Sequence, residues 1–427
     1  MTTFMQVPDM PSWFISQLSA LRDNFMAMGY SETDCHNWAH DMEQAYSKNF
    51  VTYQYNYANH TEFKHSDWQE IINVINAKKI VILNCDAEGW PIEVNKPLQN
   101  LHNAMHSFYA DVPSRLRRLR EGILFVSGNL VEIDSYKKWC ESIDSIEYVN
   151  IIELMGWDQA VATHRLNYNT NVKPYLVDEN IEQFINKRKK ILPERVTRFF
   201  TNLSRRTRIP RTYLSYKFHQ LPQHWHQLSH DDITKQGSYL DELKETGCSN
   251  YKQVFSYMKQ NTPFIADTTD FDTNYAETLN EDLHLESYFS VVSETYQQNW
   301  NGNSMFLSEK TFKPMLLGMP FLIYGQQGCN HYLKKLGYNL YEDLFDYSFD
   351  RISDDYERAD ALHDEVVRVC KMLDDMVAEE RFDWAFKSEH IMRRNINSML
   401  RPKDLGQIIN HPYFDDVYER NNIPKSA

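Results

Sequence analysis

The chain has 427 residues, 42% of them hydrophobic and 14% aromatic, a folded composition long enough for two globular domains with substantial cores. Fifty-nine acidic side chains against 45 basic ones leave a net charge of −14, which disfavours nonspecific attraction to a polyanion such as DNA. No apolar run reaches the roughly 20 residues needed to cross a bilayer. Met1-Thr2-Thr3-Phe4 carries no basic region leading into an apolar core, and the six cysteines show no CxxC spacing. These features predict a cytoplasmic protein without a membrane span, with reduced thiols rather than disulfides or a zinc site.

Helical patterns come first. Phe14, Leu18, Leu21 and Phe25 share one face of an amphipathic helix, and Trp38, Met42 and Tyr46 fit a second. A helix over Asp67–Ala77 leads into a strand at Lys79–Leu83, which runs into Asn84-Cys85-Asp86-Ala87-Glu88-Gly89-Trp90 before Pro91. A helix from about Pro97 to Ala110, a strand Ile123–Ser127 closed by Gly128-Asn129, and a strand Tyr148–Leu154 complete an alternating α/β pattern.

From about Asn180 the pattern restarts. Ten basic residues lie between Lys187 and Arg211, with Glu194 the only acid among them. Lys187–Lys190 read as a solvated face, whereas Arg205, Arg206, Arg208 and Arg211 follow a strand at 198–203 and open a helix at 209–219, a setting suited to a small anion. A polar stretch from about 222 to 285 holds enough apolar residues, Tyr251, Val254, Phe255, Tyr257 and Met258, for a helix of its own. Phe289–Val292 is a buried strand with Glu294 just past its carboxyl end, Ser308 caps a helix over 308–318, and Pro320–Tyr324 is a further strand closed by Gly325. The tail places Val366, Val367, Cys370, Met372, Leu373 and Met376 at helical spacing, with more helix near 383–399. The pattern divides the chain into an α/β domain at 1–185 with leading helices, a second α/β domain at 186–380 and a helical tail at 381–427.

Three blocks resemble the donor-binding half of fucosyltransferase-like glycosyltransferases of the GT-B fold, including those of large bacteriophages. They are Phe200-Thr201-Asn202-Leu203-Ser204-Arg205-Arg206-Thr207-Arg208-Ile209-Pro210-Arg211, Val292-Ser293-Glu294-Thr295, and Leu307-Ser308-Glu309-Lys310-Thr311-Phe312-Lys313-Pro314 with Gly318-Met319-Pro320 through Gly325. The likeness spans about 195–360. It implies two Rossmann-like domains facing a central cleft, with helical additions at both termini, and a nucleotide-sugar donor held by the second domain.

That resemblance gives Glu309 the ribose hydroxyls and sets Lys310, with Arg205 or Arg206, against the diphosphate; Arg208 and Lys313 join the donor-binding group. Glu294 is similar in place to a family carboxylate near the donor sugar, although a strand-end acid also suits capping of a nearby amide. An inverting transfer needs a base near the acceptor hydroxyl. Asp86 and Glu88, past the end of a strand in the first domain, are the candidates, and Glu88 has the more desolvated setting beside Trp90. No cofactor or metal is expected, since basic side chains suffice for the leaving diphosphate. The expected partners are a nucleotide-sugar donor and an acceptor, either a glycan, a lipid-linked saccharide or hydroxylated DNA. A noncatalytic sugar-nucleotide-binding or virion-associated module on the same fold is the alternative.

His36 with His40 and His102 with His106 have the i, i+4 spacing of a metal pair but lack the glutamate of HExxH and an identifiable third ligand. Walker, GxGxxG and GxSxG motifs are missing from the sequence, which removes the usual nucleotide hydrolase, dehydrogenase and esterase readings.

Overall fold

Val81, Leu83 and Cys85 point into one apolar core while Ile80 and Ile82 point into another, and Ile123 with Phe125, and Leu124 with Val126, divide in the same way. A strand that alternates apolar side chains between two faces must be covered on both. A computed structural model of the chain describes residues 4–7, 10–55, 65–85, 95–111, 120–154, 157, 161–162, 177–204, 208–235, 239–266, 281–298, 302–400 and 412–423. Two compact units result: Met1–Thr163 with Trp300–Phe306 and Arg401–Ala427, and His164–Asn299 with Leu307–Leu400.

The first unit carries the strands β1 (Phe4–Val7), β2 (Phe50–Tyr55), β3 (Ile80–Cys85), β4 (Ile123–Ser127) and β5 (Asn150–Glu153), side by side in that order. Only β1 runs antiparallel to its neighbour. Its first helices are α1 (Ser12–Ala27), α2 (Glu32–Asn49), α3 (His65–Asn76), α4 (Lys96–Asp111) and α5 (Glu132–Ser142). Crossovers between parallel strands are almost always right-handed, so strands that advance in one direction, as β2 to β5 do, put their connecting helices on one face. Ile71, Ile75, Leu98, Leu101, Met105 and Tyr136 supply that core. The opposite face would stay bare without α1 and α2, which bury Phe14, Leu18, Trp38 and Met42 there.

In the second unit α6 (Val177–Arg195) precedes β6 (Arg198–Leu203), α7 (Ile209–His219), β7 (His226–His230), α8 (Tyr239–Glu245), α9 (Tyr251–Asn261) and β8 (Phe264–Ile265). Then follow α10 (Glu281–Leu285), β9 (Ser287–Ser293), α11 (Glu309–Leu316), β10 (Phe321–Tyr324), α12 (Cys329–Lys335), α13 (Asp355–Asp375), α14 (Ala378–Phe386) and α15 (Glu389–Leu400). The sheet order is β10-β9-β6-β7-β8, parallel except for β8. From β6 the chain moves outward through β7 and β8, then returns to β6's other side for β9 and β10. The strand order therefore reverses between β6 and β9, the place where open α/β sheets leave a crevice at the carboxyl ends of their strands.

The two units divide the chain differently from the expected boundaries. Helix α6 belongs wholly to the second unit, where Lys189 pairs with Glu389 of α15 at 2.6 Å and Arg393 pairs with Glu182. The expected tail at 381–427 splits, because α15 stays with the second unit while α16 (Asp415–Arg420) joins the first, burying Phe414, Val417 and Tyr418 in the core that holds Trp38. Arg188, placed on a solvated face by the sequence, is instead fully buried and donates to the Tyr288 carbonyl at 2.7 Å. No helix among the described residues is long and apolar enough to cross a membrane.

Candidate functional site

Two helices begin at the strand-order reversal, α7 after β6 and α11 after β9, and their amino ends differ. At α11 the Ser308 hydroxyl accepts from the Lys310 amide at 3.4 Å, and Glu294 fills the space behind it. One carboxylate oxygen of Glu294 accepts from the Ser308 amide (3.0 Å) and the Thr311 hydroxyl (2.6 Å); the other accepts from the Ser308 hydroxyl (2.6 Å) and the Thr295 amide (3.0 Å). The residue has no exposed surface. A carboxylate at a helix amino end is stabilised by the aligned amides, and with four donors in place Glu294 serves as the internal cap of α11. Gly325 makes this possible, since a Cβ there would lie 3.3 Å from that of Glu294 and 3.0 Å from the Cys329 sulfur.

The start of α7 is open by comparison. Arg208 is its N-cap residue and supplies no side-chain cap, and Pro210 stands in its first turn. Arg208 instead donates to the Thr295 carbonyl at 2.9 Å and lies over the Tyr296 ring at 5.1 Å. Arg211, 2% exposed, donates through Nε to the Glu294 carbonyl at 2.5 Å, while its Nη2 has no partner among the described residues. Burial, then the neighbouring Arg208 charge, pull its pKa down to about 10, with Glu294 and Glu309 opposing, so it remains a cation at neutral pH. Asn202 Oδ1 and Ser204 Oγ, at the end of β6, are likewise buried without a partner among the described residues. Buried polar atoms left unpaired are costly, and a group of them points to a ligand or ordered water.

Glu309 and Lys310 form an ion pair at 2.7 Å, with side chains 13% and 28% exposed. Burial would raise the Glu309 pKa, but the charges of Lys310 and Lys313 outweigh it and hold the carboxyl below its usual range. Lys313 also acts on His284, whose imidazole is pushed down to about 3, first by burial and then by that charge.

The structure thus brings Glu294, Arg208, Glu309 and Lys310 together at the reversal, with Lys313 one turn further along α11. Asp86, Glu88, Arg205 and Arg206 lie outside the described residues. Sequence reading missed Arg358 of α13, which is 1% exposed and clasps the loops behind the site. It donates to the carbonyls of Gly325 (3.2 Å), Ile352 (2.7 Å) and Gln297 (2.7 Å) and to Asp355 (2.6 Å). Its only sequence signal was an i, i+3 acid–arginine pair. A second missed group joins Thr212, His230 and Tyr239. The Thr212 hydroxyl bonds His230 Nε2 at 2.8 Å and the Tyr239 hydroxyl, and His230 Nδ1 donates to the Asp231 carbonyl at 2.7 Å. This chain anchors the first turn of α7 beside Arg211.

Members of both histidine pairs have other partners. His102 bonds the Tyr136 hydroxyl at 2.8 Å and Ser145 at 3.2 Å, tying α4 to α5, and His36 faces Glu32 at the surface. Among the described residues no group of His, Cys, Asp or Glu is arranged to hold a metal. In the first unit one carboxyl stands apart. Glu132 is fully buried at the start of α5, accepts from Ser127 at 2.8 Å and Asn95 at 3.3 Å, and is pushed by burial up to about 8.

No family model matches the chain, and no curated protein or solved structure is significantly similar to it.

Proposed function

We propose that the chain is a GT-B glycosyltransferase that binds a nucleotide-sugar at the strand-order reversal of its second unit and transfers the sugar to an acceptor hydroxyl. The observation that supports this reading is Arg211: a buried guanidinium whose Nη2 has no partner among the described residues, on a start of α7 that no described side chain caps, and across the reversal from Lys310. Cations at that point suit a diphosphate that gains negative charge as the glycosidic bond breaks, and removal of one well-placed donor typically costs about 100- to 1000-fold in rate. Arg208, Arg211 and Lys310 supply this charge, with Lys313 behind them and Arg205 and Arg206 assigned to the same loop. Glu309 takes the ribose hydroxyls. Glu294 acts as a positioning residue, holding α11 and so Glu309 and Lys310. The acceptor base is assigned to Asp86 or Glu88, and the acceptor to a glycan, a lipid-linked saccharide or a hydroxylated DNA base.

One observation favours a second reading, a sugar-nucleotide-binding module without activity: Glu294, an acid expected to take part in the chemistry, spends its carboxylate on internal donors. A panel of UDP-, GDP- and CMP-sugars separates the two. Thermal stabilisation by one nucleotide that disappears in Lys310→Ala supports the site, and donor hydrolysis marks an enzyme. Stabilisation without hydrolysis or transfer supports the module, and no stabilisation by any donor removes both.

A further inference from the structure

An ammonium group has three protons to donate, and Lys310 has an acceptor for each. Its Nζ lies 2.7 Å from Glu309 Oε1, 3.2 Å from the Ser308 hydroxyl and 3.3 Å from the Thr295 hydroxyl. The cation assigned to phosphate is thus saturated by its own neighbours, and its shortest contact is the carboxylate assigned to ribose. An incoming anion must draw Lys310 away and leave Glu309, 13% exposed, without its nearest counter-ion. Stranding a largely buried charge is unfavourable. A ligand that offers two adjacent hydroxyls to the carboxylate offsets that loss; a bare anion cannot.

We propose that Glu309 and Lys310 form a latch that makes phosphate binding conditional on a vicinal diol, so that the site rejects inorganic phosphate and pyrophosphate and admits nucleoside diphosphates. The inference rests on the nucleotide reading given above. Glu309 is then a specificity-determining residue that works by penalising the wrong ligand, a device that selects as effectively as added contacts. Removal of its charge has an unusual consequence. Loss of a residue from the site strengthens binding of the smallest anion.

Calorimetric titration of the full chain with pyrophosphate, UDP, GDP and their 2′,3′-dideoxy counterparts tests the latch. Glu309→Gln is expected to bind pyrophosphate about two- to fivefold more tightly than the wild type, the effect of freeing one partly exposed ion pair. The gain should vanish in the double variant Glu309→Gln/Lys310→Ala. Wild-type protein, which needs no substitution to fold, is expected to prefer a ribonucleotide over its dideoxy counterpart, and Glu309→Gln to lose most of that preference. If the wild type binds a nucleotide but does not distinguish the diol, or if Glu309→Gln leaves pyrophosphate affinity unchanged or weaker, the latch is wrong while the nucleotide site stands. Failure of the wild type to bind any nucleotide overturns the site and the latch together.

Discussion

Ser308 gives both its amide, at 3.0 Å, and its hydroxyl, at 2.6 Å, to the two oxygens of the Glu294 carboxylate, which joins the end of β9 to the start of α11. The arrangement makes Glu294 a structural acid whose loss is felt first in stability. Glu294→Ala strands four donors and is expected to destabilise the second unit by roughly 3 kcal/mol or more, since buried donors left unpaired cost about 1–3 kcal/mol each and relax only in part. Glu294→Gln keeps the shape but turns an NH2 group toward two donors, and should cost about 1–3 kcal/mol. Denaturant unfolding of both variants checks this. Unchanged stability with lost sugar transfer would return Glu294 to a place beside the donor sugar.

Arg211→Met should separate binding from folding. The Glu294 carbonyl that Arg211 reaches also accepts from Gln297 Nε2, so it keeps a partner, and a buried charge whose Nη2 has no partner among the described residues is removed. The stability loss is expected to be about 1 kcal/mol or less, whereas nucleotide affinity should fall by about tenfold or more, the effect of losing one charge-assisted contact. Parallel melting curves and calorimetry read the two effects. A large loss of stability with unaltered affinity would mark Arg211 as purely structural.

Gly325→Ala tests the close approach behind the site. The added methyl carbon would meet the Cys329 sulfur at 3.0 Å and Glu294 Cβ at 3.3 Å. Overpacking of this kind costs about 1–3 kcal/mol, and here it should push Glu294 away from Ser308 and weaken nucleotide binding together with stability. Wild-type stability in this variant would contradict the packing described.

Glu132 predicts the pH response of the first unit. Its pKa stands at about 8 in the folded chain against an ordinary 4.5, because burial disfavours the ionised form. The folded state therefore holds a proton that the unfolded state releases, and stability falls as pH rises from about 4.5 through about 8, then levels off. In Glu132→Gln the amide oxygen can still accept from Ser127 and Asn95, and nothing titrates. That variant should flatten the decline and become more stable than the wild type above pH 7, by up to a few kcal/mol. Unfolding free energies across pH 5–9 give the answer; the same slope in both proteins would mean that Glu132 is ionised in the fold.

Elements with strong apolar periodicity were readable from the sequence. Ile80–Cys85, Ile123–Ser127, Ser287–Ser293 and Phe321–Tyr324 stand at or within a few residues of their expected places. Strand β7 was not readable, because His226-Gln227-Leu228-Ser229-His230 is polar and the partner of His230, Thr212 of α7, is brought to it by the fold. Strand β2, Phe50–Tyr55, was hidden between helical patterns although its residue types favour a strand. At the site, the sequence marked Glu294, Glu309 and Lys310 and offered amide capping as one role for Glu294, the role it has, but did not show that the helix it caps is α11. That depends on Gly325 and Thr311, which approach it only in the folded chain. Arg358 lies further along the chain from Gln297, whose carbonyl it holds, a separation no local pattern spans.

The decisive measurement is the structure of the chain crystallised with the nucleoside diphosphate that stabilises it best. Phosphate oxygens are expected within hydrogen-bond reach of Lys310 and of Arg208 or Arg211, with the ribose hydroxyls on Glu309 and the Glu309–Lys310 pair opened. A nucleotide bound elsewhere, or phosphates that leave all of these cations untouched, would contradict the proposed site.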